Sequence, residues 1–254
     1  MLSTARHLTR LELLDLRDND IGPDGIEALL AEEWLSRLEH LILDDNPLGD
    51  SAAEALAGAT HMTRLKHLRL THSGLGPAGA RALASAPHLA GLRQLFLHRN
   101  RLEAEGVAAL VSGPWTRLRT LVLANTRVGD EGARALAGAP LLAGLAGLDV
   151  SDNQIGDDGL RALAGAPLNA LTELWFGNNP IGAAGVASLA AAPLRRLARL
   201  HLHGRHLNAE VLRPLVQARW LTTLHWFDTN SWGDTRWFAP IDDELRAAAP
   251  DLLL

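Results

Sequence analysis

The segment LDVSDNQIGDDGLRALAGAP, residues 148–167, is one copy of a phrase that recurs along the whole chain. Repetition constrains the fold more than any other feature. A unit too short to bury its own apolar face must stack on its neighbours. Aligned on the leucine that opens each copy, the starts fall at Leu11, Leu38, Leu65, Leu92, Leu118, Leu145, Leu171, Leu197 and Leu221, in steps of 27, 27, 27, 26, 27, 26, 26 and 24 residues.

Counting that leucine as position 1, apolar side chains recur at positions 4, 6, 11 and 19. The second copy carries Leu41, Leu43, Leu48 and Leu56, and the sixth Leu148, Val150, Ile155 and Leu163. Positions 3 to 7 alternate, the period of a strand with one buried face. Position 9 is asparagine at Asn19, Asn46, Asn100, Asn153 and Asn179, a side chain suited to bonding released turn backbone. Position 12 is glycine at Gly22, Gly49, Gly76, Gly129, Gly156 and Gly182, where a tight turn calls for positive φ. Asp50, Asp130 and Asp157 follow, placed to cap the helix that comes next. That helix is short and alanine-rich, as in GARALASAP, and Pro87, Pro114, Pro140, Pro167 and Pro193 stop it.

The pattern predicts an α/β solenoid, a curved horseshoe of about nine repeats. Parallel strands line a concave face roughly 40 Å long, with short helices on the convex side. Residues 1–220 are expected to form this solenoid. Residues 221–254 are expected to form the last repeat and a C-terminal cap rich in Trp226, Trp232, Trp237, Phe227 and Phe238. A Trp-lined peptide site is the alternative there. No capping element precedes the first strand, which leaves three expectations for that edge: it is tolerated, a segment is missing, or another chain covers it by self-association.

The motif LxxLxLxxNxIG followed by GxxALA resembles a leucine-rich repeat of the ribonuclease-inhibitor-like class. That class includes bacterial repeats with a Gly-Ala-Leu-Ala signature and Ran GTPase activator-like repeats. The resemblance implies a horseshoe fold and a protein-binding role, with a GTPase-activator-like regulator as the alternative. Copies eight and nine depart from the motif. Arg205 and Thr229 stand at the asparagine position, and Asn208 and Trp232 at the glycine position.

Composition narrows the function. The 254 residues are 47% hydrophobic, enough for a core, and the net charge of −5 argues against nucleic acid as the partner. There is no cysteine, hence no disulfide, Cys-zinc site or thiol nucleophile. The single lysine, Lys66, against 23 arginines points to a GC-rich, bacterial source. No signal core and no apolar run of about 18 residues is present, so a cytoplasmic protein without a membrane span is expected. No GxxxxGK[ST], HExxH or GxSxG motif occurs. Asp45 and His72 share a column but lack a nucleophilic serine beside them. A non-enzyme without a cofactor is expected.

Positions 3, 5, 7 and 8 should face the concave side, with positions 2 and 10 near its rims, and charge is banded across these columns. Copies one and two sum to −6, copies three to five, with Lys66, Arg69, Arg93, Arg99, Arg101, Arg119 and Arg127, to +7, and copies six to nine to −3. Such bands suit a protein partner of complementary charge, and an acidic segment or RNA on the basic band is the rival. Phe96 and Trp175 stand at position 5 as interface anchors. Eight of the 11 histidines fall in or beside these columns. The expected partner surface is His40, Asp44, His67, Arg69, His72, Phe96, His98, Arg99, Asp149, Glu173, Trp175, Arg199, His201, His203, His225 and Phe227. His201 and His203 lie on one face of a strand about 6.7 Å apart. With His225 one strand over, they are a candidate zinc set.

Overall fold

The computed structural model describes residues 10–205, 207–228 and 248. The chain divides into two compact units, residues 1–126 and 127–254. In the first, strands β1 (Leu13–Asp15), β2 (His40–Ile42), β3 (His67–Arg69), β4 (Gln94–Phe96) and β5 (Thr120–Val122) pair in parallel in chain order. Helices α1 (Pro23–Leu30), α2 (Gly49–Gly58), α3 (Pro77–Ala84) and α4 (Glu103–Val111) alternate with them. The second unit repeats the arrangement. Strands β6 (Gly147–Asp149), β7 (Glu173–Trp175), β8 (Arg199–His201) and β9 (Trp226–Asp228) pair in parallel, alternating with α5 (Gly129–Ala137), α6 (Asp157–Ala164), α7 (Ala183–Ala190) and the single turn α8 (Ala209–Leu212).

Each strand is three residues long with its middle residue buried, and its neighbours are at least partly exposed, as at His40–Ile42, Gln94–Phe96 and Glu173–Trp175, except at the buried His201. The buried rows are those of the repeat. Leu38, Leu41, Leu43, Leu48 and Leu56 in one copy, and Leu145, Leu148, Val150, Ile155 and Leu163 in another, are all core. The strands pair in the register the repeat demands, with His40 opposite His67 and Leu174 opposite Leu200.

Where asparagine stands at position 9, it stitches its repeat to the one before it. Asn100 Oδ1 accepts the backbone N–H of Ser73 and Leu75, and its Nδ2 donates to the carbonyls of Leu70 and Leu97. Asn46 and Asn179 do the same for their neighbours. Backbone groups released at the strand end are thereby paired inside the core, where an orphan would be costly.

The capping aspartates act one repeat further on than expected. Asp50 sits in the first turn of α2, yet its Oδ1 accepts the N–H of Gly76 and Gly79 at the start of α3. Asp130 does the same for Gly156 and Gly159, and Asp157 accepts from Gly182. A Cβ at Gly79, Gly159 or Gly185 would stand 2.5 Å from the aspartate oxygen, so glycine is what admits the carboxylate. Position 12 also divides. Gly49 and Gly129 take φ of +65° and +58°, while Gly22, Gly76, Gly156 and Gly182 are extended N-caps.

The ninth copy is corrected by three residues. Phe227 pairs with Leu200 and Asp228 with His201, so the opening leucine is Leu224, not Leu221. Leu221 belongs to the buried row of Leu35, Leu89, Leu142, Leu168 and Leu194, which precedes each opening leucine by three. Two leucine rows at that spacing make the shift invisible to pattern matching. The rest of the expected tryptophan-rich cap, with Trp232, Trp237 and Phe238, lies outside the described residues, as do residues 1–9, His206 and Thr229.

Candidate functional site

The strand face turned away from the helices carries positions 3, 5, 7 and 8 in each unit. The short strands fix these side chains in rows, and each meets its counterpart on the next strand at a spacing of about 4.8 Å.

In the first unit, part of the expected acidic band is tied to the basic one. Asp44 is 3% exposed; its Oδ2 accepts from Arg69 Nε at 2.8 Å and its Oδ1 from the Thr71 N–H at 2.9 Å. Glu39 pairs with Lys66 at 2.6 Å, Asp45 with His72 at 2.9 Å, and Asp15 with Arg17 of its own repeat. Hydrogen bonds from Lys66 and Arg17 hold the carboxyls of Glu39 and Asp15 below their usual range. Arg69 also lies over the half-buried Phe96 ring, 4.9 Å from its centre. His40 and His67 stack with ring centres 4.1 Å apart, and His67 bonds Gln94 at 2.9 Å. His98 Nδ1 meets the Thr71 hydroxyl at 3.2 Å. Arg93, Arg99 and Arg101 make no ion pair among the described residues.

Position 8 is left-handed in seven copies, at Asp18, Asp45, His72, Arg99, Asn125, Asp152 and Asn178. Asp, Asn and His tolerate that region well. Arg99, at φ +58°, is the one residue of the seven outside that group.

In the second unit, Trp175 is half-buried, stacked on His201 with ring centres 3.4 Å apart. Its Nε1 donates to Glu173 at 2.9 Å, and Glu173 pairs with Arg199 at 2.6 Å. Burial opposes ionisation of Glu173, but the bonds from Arg199 and Trp175 outweigh it and keep the carboxyl below its usual value. The Asp149 Oδ1 accepts from the Ser151 N–H at 3.0 Å.

Three expectations on this face are corrected. Phe227 is core, 1% exposed, because the register places it in the leucine row. His225 is exposed and leaves the His201 column. Its N–H bonds the carbonyl of Ala198, and Asp228 takes the place opposite His201. The three imidazoles therefore do not converge. His201 stacks on Trp175 and faces Asp228 at 3.5 Å, while His203 fills the space beside Gly177, where an added Cβ would collide with its ring. No group of three or more His, Asp or Glu among the described residues is arranged to hold a metal ion.

Burial holds three imidazoles below their ordinary value: His201, against the pull of Asp228; His40, with help from the nearby His67; and His88, against its bond to the Leu56 carbonyl. Below about pH 6.5 the folded chain therefore binds fewer protons than the unfolded one, and acid favours unfolding. The urea midpoint is expected to fall as pH drops from about 7 to about 5, before the carboxylates of Asp15, Glu39 and Glu173 protonate. A midpoint that rises over this interval would contradict the burial of these rings.

Five segments, residues 5–30, 37–57, 61–84, 116–137 and 148–164, match the family model for the leucine-rich repeat. Those five segments are similar to leucine-rich repeats. The α/β leucine-rich-repeat solenoid is the fold class of the chain. An internalin from Listeria monocytogenes is similar in structure, at 19% identity, with 99% of this chain and 91% of that chain covered and a TM-score of 0.39. No curated protein matches the sequence. No helix among the described residues is long and apolar enough to cross a membrane.

Sequence columns missed one feature of the repeats. Arg64, Gly91 and Arg117 occupy the row just before the opening leucines, and with Lys66, Arg93 and Glu39 they line a pocket of about 240 Å³. That row lies outside the strand-face positions. Its signal is the series TRLK, AGLR and TRLR.

Proposed function

We propose that the protein is a non-enzymatic scaffold that binds a protein partner on the open strand face. Leucine-rich repeats generally serve as protein-interaction scaffolds. The observation that carries the reading is the aromatic at position 5 in each unit. Phe96 and Trp175 are half-buried on a strand face where stability alone calls for small or polar residues, and each is held rigid by a stacked neighbour, Arg69 or His201. Rigid, partly exposed aromatics beside arginines are the usual anchors of protein interfaces. Arg99 and Arg199 supply charge in the same two units.

Phe96→Ala and Trp175→Ala are each expected to weaken partner binding by about 2 kcal/mol while shifting the urea midpoint little. Capture of a partner from the source lysate by the full chain, followed by titration of that partner against both variants, is the test. Undiminished affinity in both variants would remove the strand face as the docking surface.

A further inference from the structure

We propose that the pocket built by Arg64, Lys66, Gly91, Arg93 and Arg117 receives an acidic peptide segment in extended conformation. The proposal rests on the protein-binding reading only for its choice of occupant.

The pocket exists because one side chain is missing. Arg64 and Arg117 occupy the same row in the third and fifth repeats, and Gly91 stands between them in the fourth. The space that an arginine would fill becomes an opening of about 240 Å³, flanked by two guanidinium groups, with Lys66 and Arg93 two residues further along their repeats. Four cations thus face one carboxylate. Glu39 is committed to Lys66 at 2.6 Å, and Arg64, Arg93 and Arg117 make no ion pair among the described residues. All three are exposed. A chain of net charge −5 that gathers three unpaired arginines around a cavity has a local charge opposite to its overall one.

The spacing selects the occupant. Rows two repeats apart are separated by about 10 Å at strand spacing. One tetrahedral oxyanion cannot span that distance. Carboxylates three residues apart on a polyproline-type segment, at about 3.1 Å per residue, can. Arginine forks bind carboxylates bidentately, which favours a defined seat over a diffuse cloud. Single-stranded RNA offers similar anionic spacing, but it binds through aromatic platforms, and no aromatic residue lines this pocket.

The test is fluorescence anisotropy of fluorescein-labelled hexaglutamate titrated with the full chain at an ionic strength of about 0.05 M, low enough to limit screening. Saturable binding is expected. Arg64→Ala combined with Arg117→Ala should weaken it by about tenfold, the scale expected for removing two charge-assisted hydrogen bonds at a surface. Gly91→Leu fills the opening without changing charge. Its backbone is not left-handed, and a Cβ there meets nothing closer than 3.6 Å, so the variant should fold and still lose most of the affinity. Arg93→Glu gives a third, independent arm at an exposed side chain. Arg195→Ala, an exposed arginine elsewhere, should leave binding unchanged. Phe96→Ala should bind the peptide as wild type does, so failure of the strand-face reading would not imitate failure here. The proposal is overturned by absence of saturable binding, by wild-type affinity in Gly91→Leu, by an equal loss in Arg195→Ala, or by a hexauridylate that binds as tightly as the peptide.

Discussion

Asn100→Ala is expected to remove roughly 3–5 kcal/mol of stability, because it strands several buried backbone groups at once. The side chain is 3% exposed and serves two N–H groups, Ser73 and Leu75, and two carbonyls, Leu70 and Leu97, at 2.7–3.1 Å. Alanine leaves all of them in a dry core. Each unpaired group costs about 1–3 kcal/mol, and partial relaxation keeps the sum below the simple total. Against a typical stability of about 5–15 kcal/mol this is a large fraction. Asn100→Asp separates the two halves of the effect, since a carboxylate can still accept from Ser73 and Leu75 but cannot donate to Leu70 and Leu97. Urea unfolding followed by far-UV circular dichroism measures both. A loss below about 0.5 kcal/mol for Asn100→Ala would mean that water takes over the side chain's four partners.

The rows that build the fold are legible in the sequence because one physical requirement recurs at every copy. The middle of each strand must be apolar, so Leu41, Leu68, Leu95, Leu121, Leu148 and Leu174 announce themselves. Legibility ends where two rows look alike. Leu221 and Leu224 are both buried leucines three residues apart, and only backbone pairing tells which one opens the ninth copy. The zinc reading of His201, His203 and His225 depends on that choice and fails with it. The aspartate caps are hidden for another reason. Asp130 lies in the first turn of its own helix, but its carboxylate bonds Gly156 and Gly159 of the following one. Sequence shows the aspartate and the glycine, not that the glycine is the socket.

On the strand face, a column sum counts charges but not their partners. Asp44 and Arg69 lie in neighbouring repeats and neutralise each other, as do Glu39 and Lys66. The bands are therefore partly neutralised where they meet, and the charge left for a partner in the first unit is that of the exposed Glu12, Asp18 and Asp20 at one end and of arginines further along. Those arginines concentrate where Gly91 interrupts a row, so the informative residue is one without a side chain.

Leu148→Ala is expected to cost about 2–5 kcal/mol, through lost transfer energy and the cavity left behind. Leu148 is 2% exposed at the centre of β6, in register with Leu174 of β7, and Leu145, Val150, Ile155 and Leu163 of its own repeat are core as well. A repeat stack has no alternative core into which such a hole can collapse, because the backbone toward β7 is held by strand pairing and by the asparagine at the strand end. The cost should therefore fall in the upper half of the range. Leu148→Ile, which keeps the volume, should cost less than about 1.5 kcal/mol. Urea midpoints of the two variants, read with the slope of the transition, decide the matter. If alanine and isoleucine shift the midpoint equally, shape at this position matters more than the filling of a cavity. If neither shifts it, Leu148 is not a core residue and the register of the repeat is wrong.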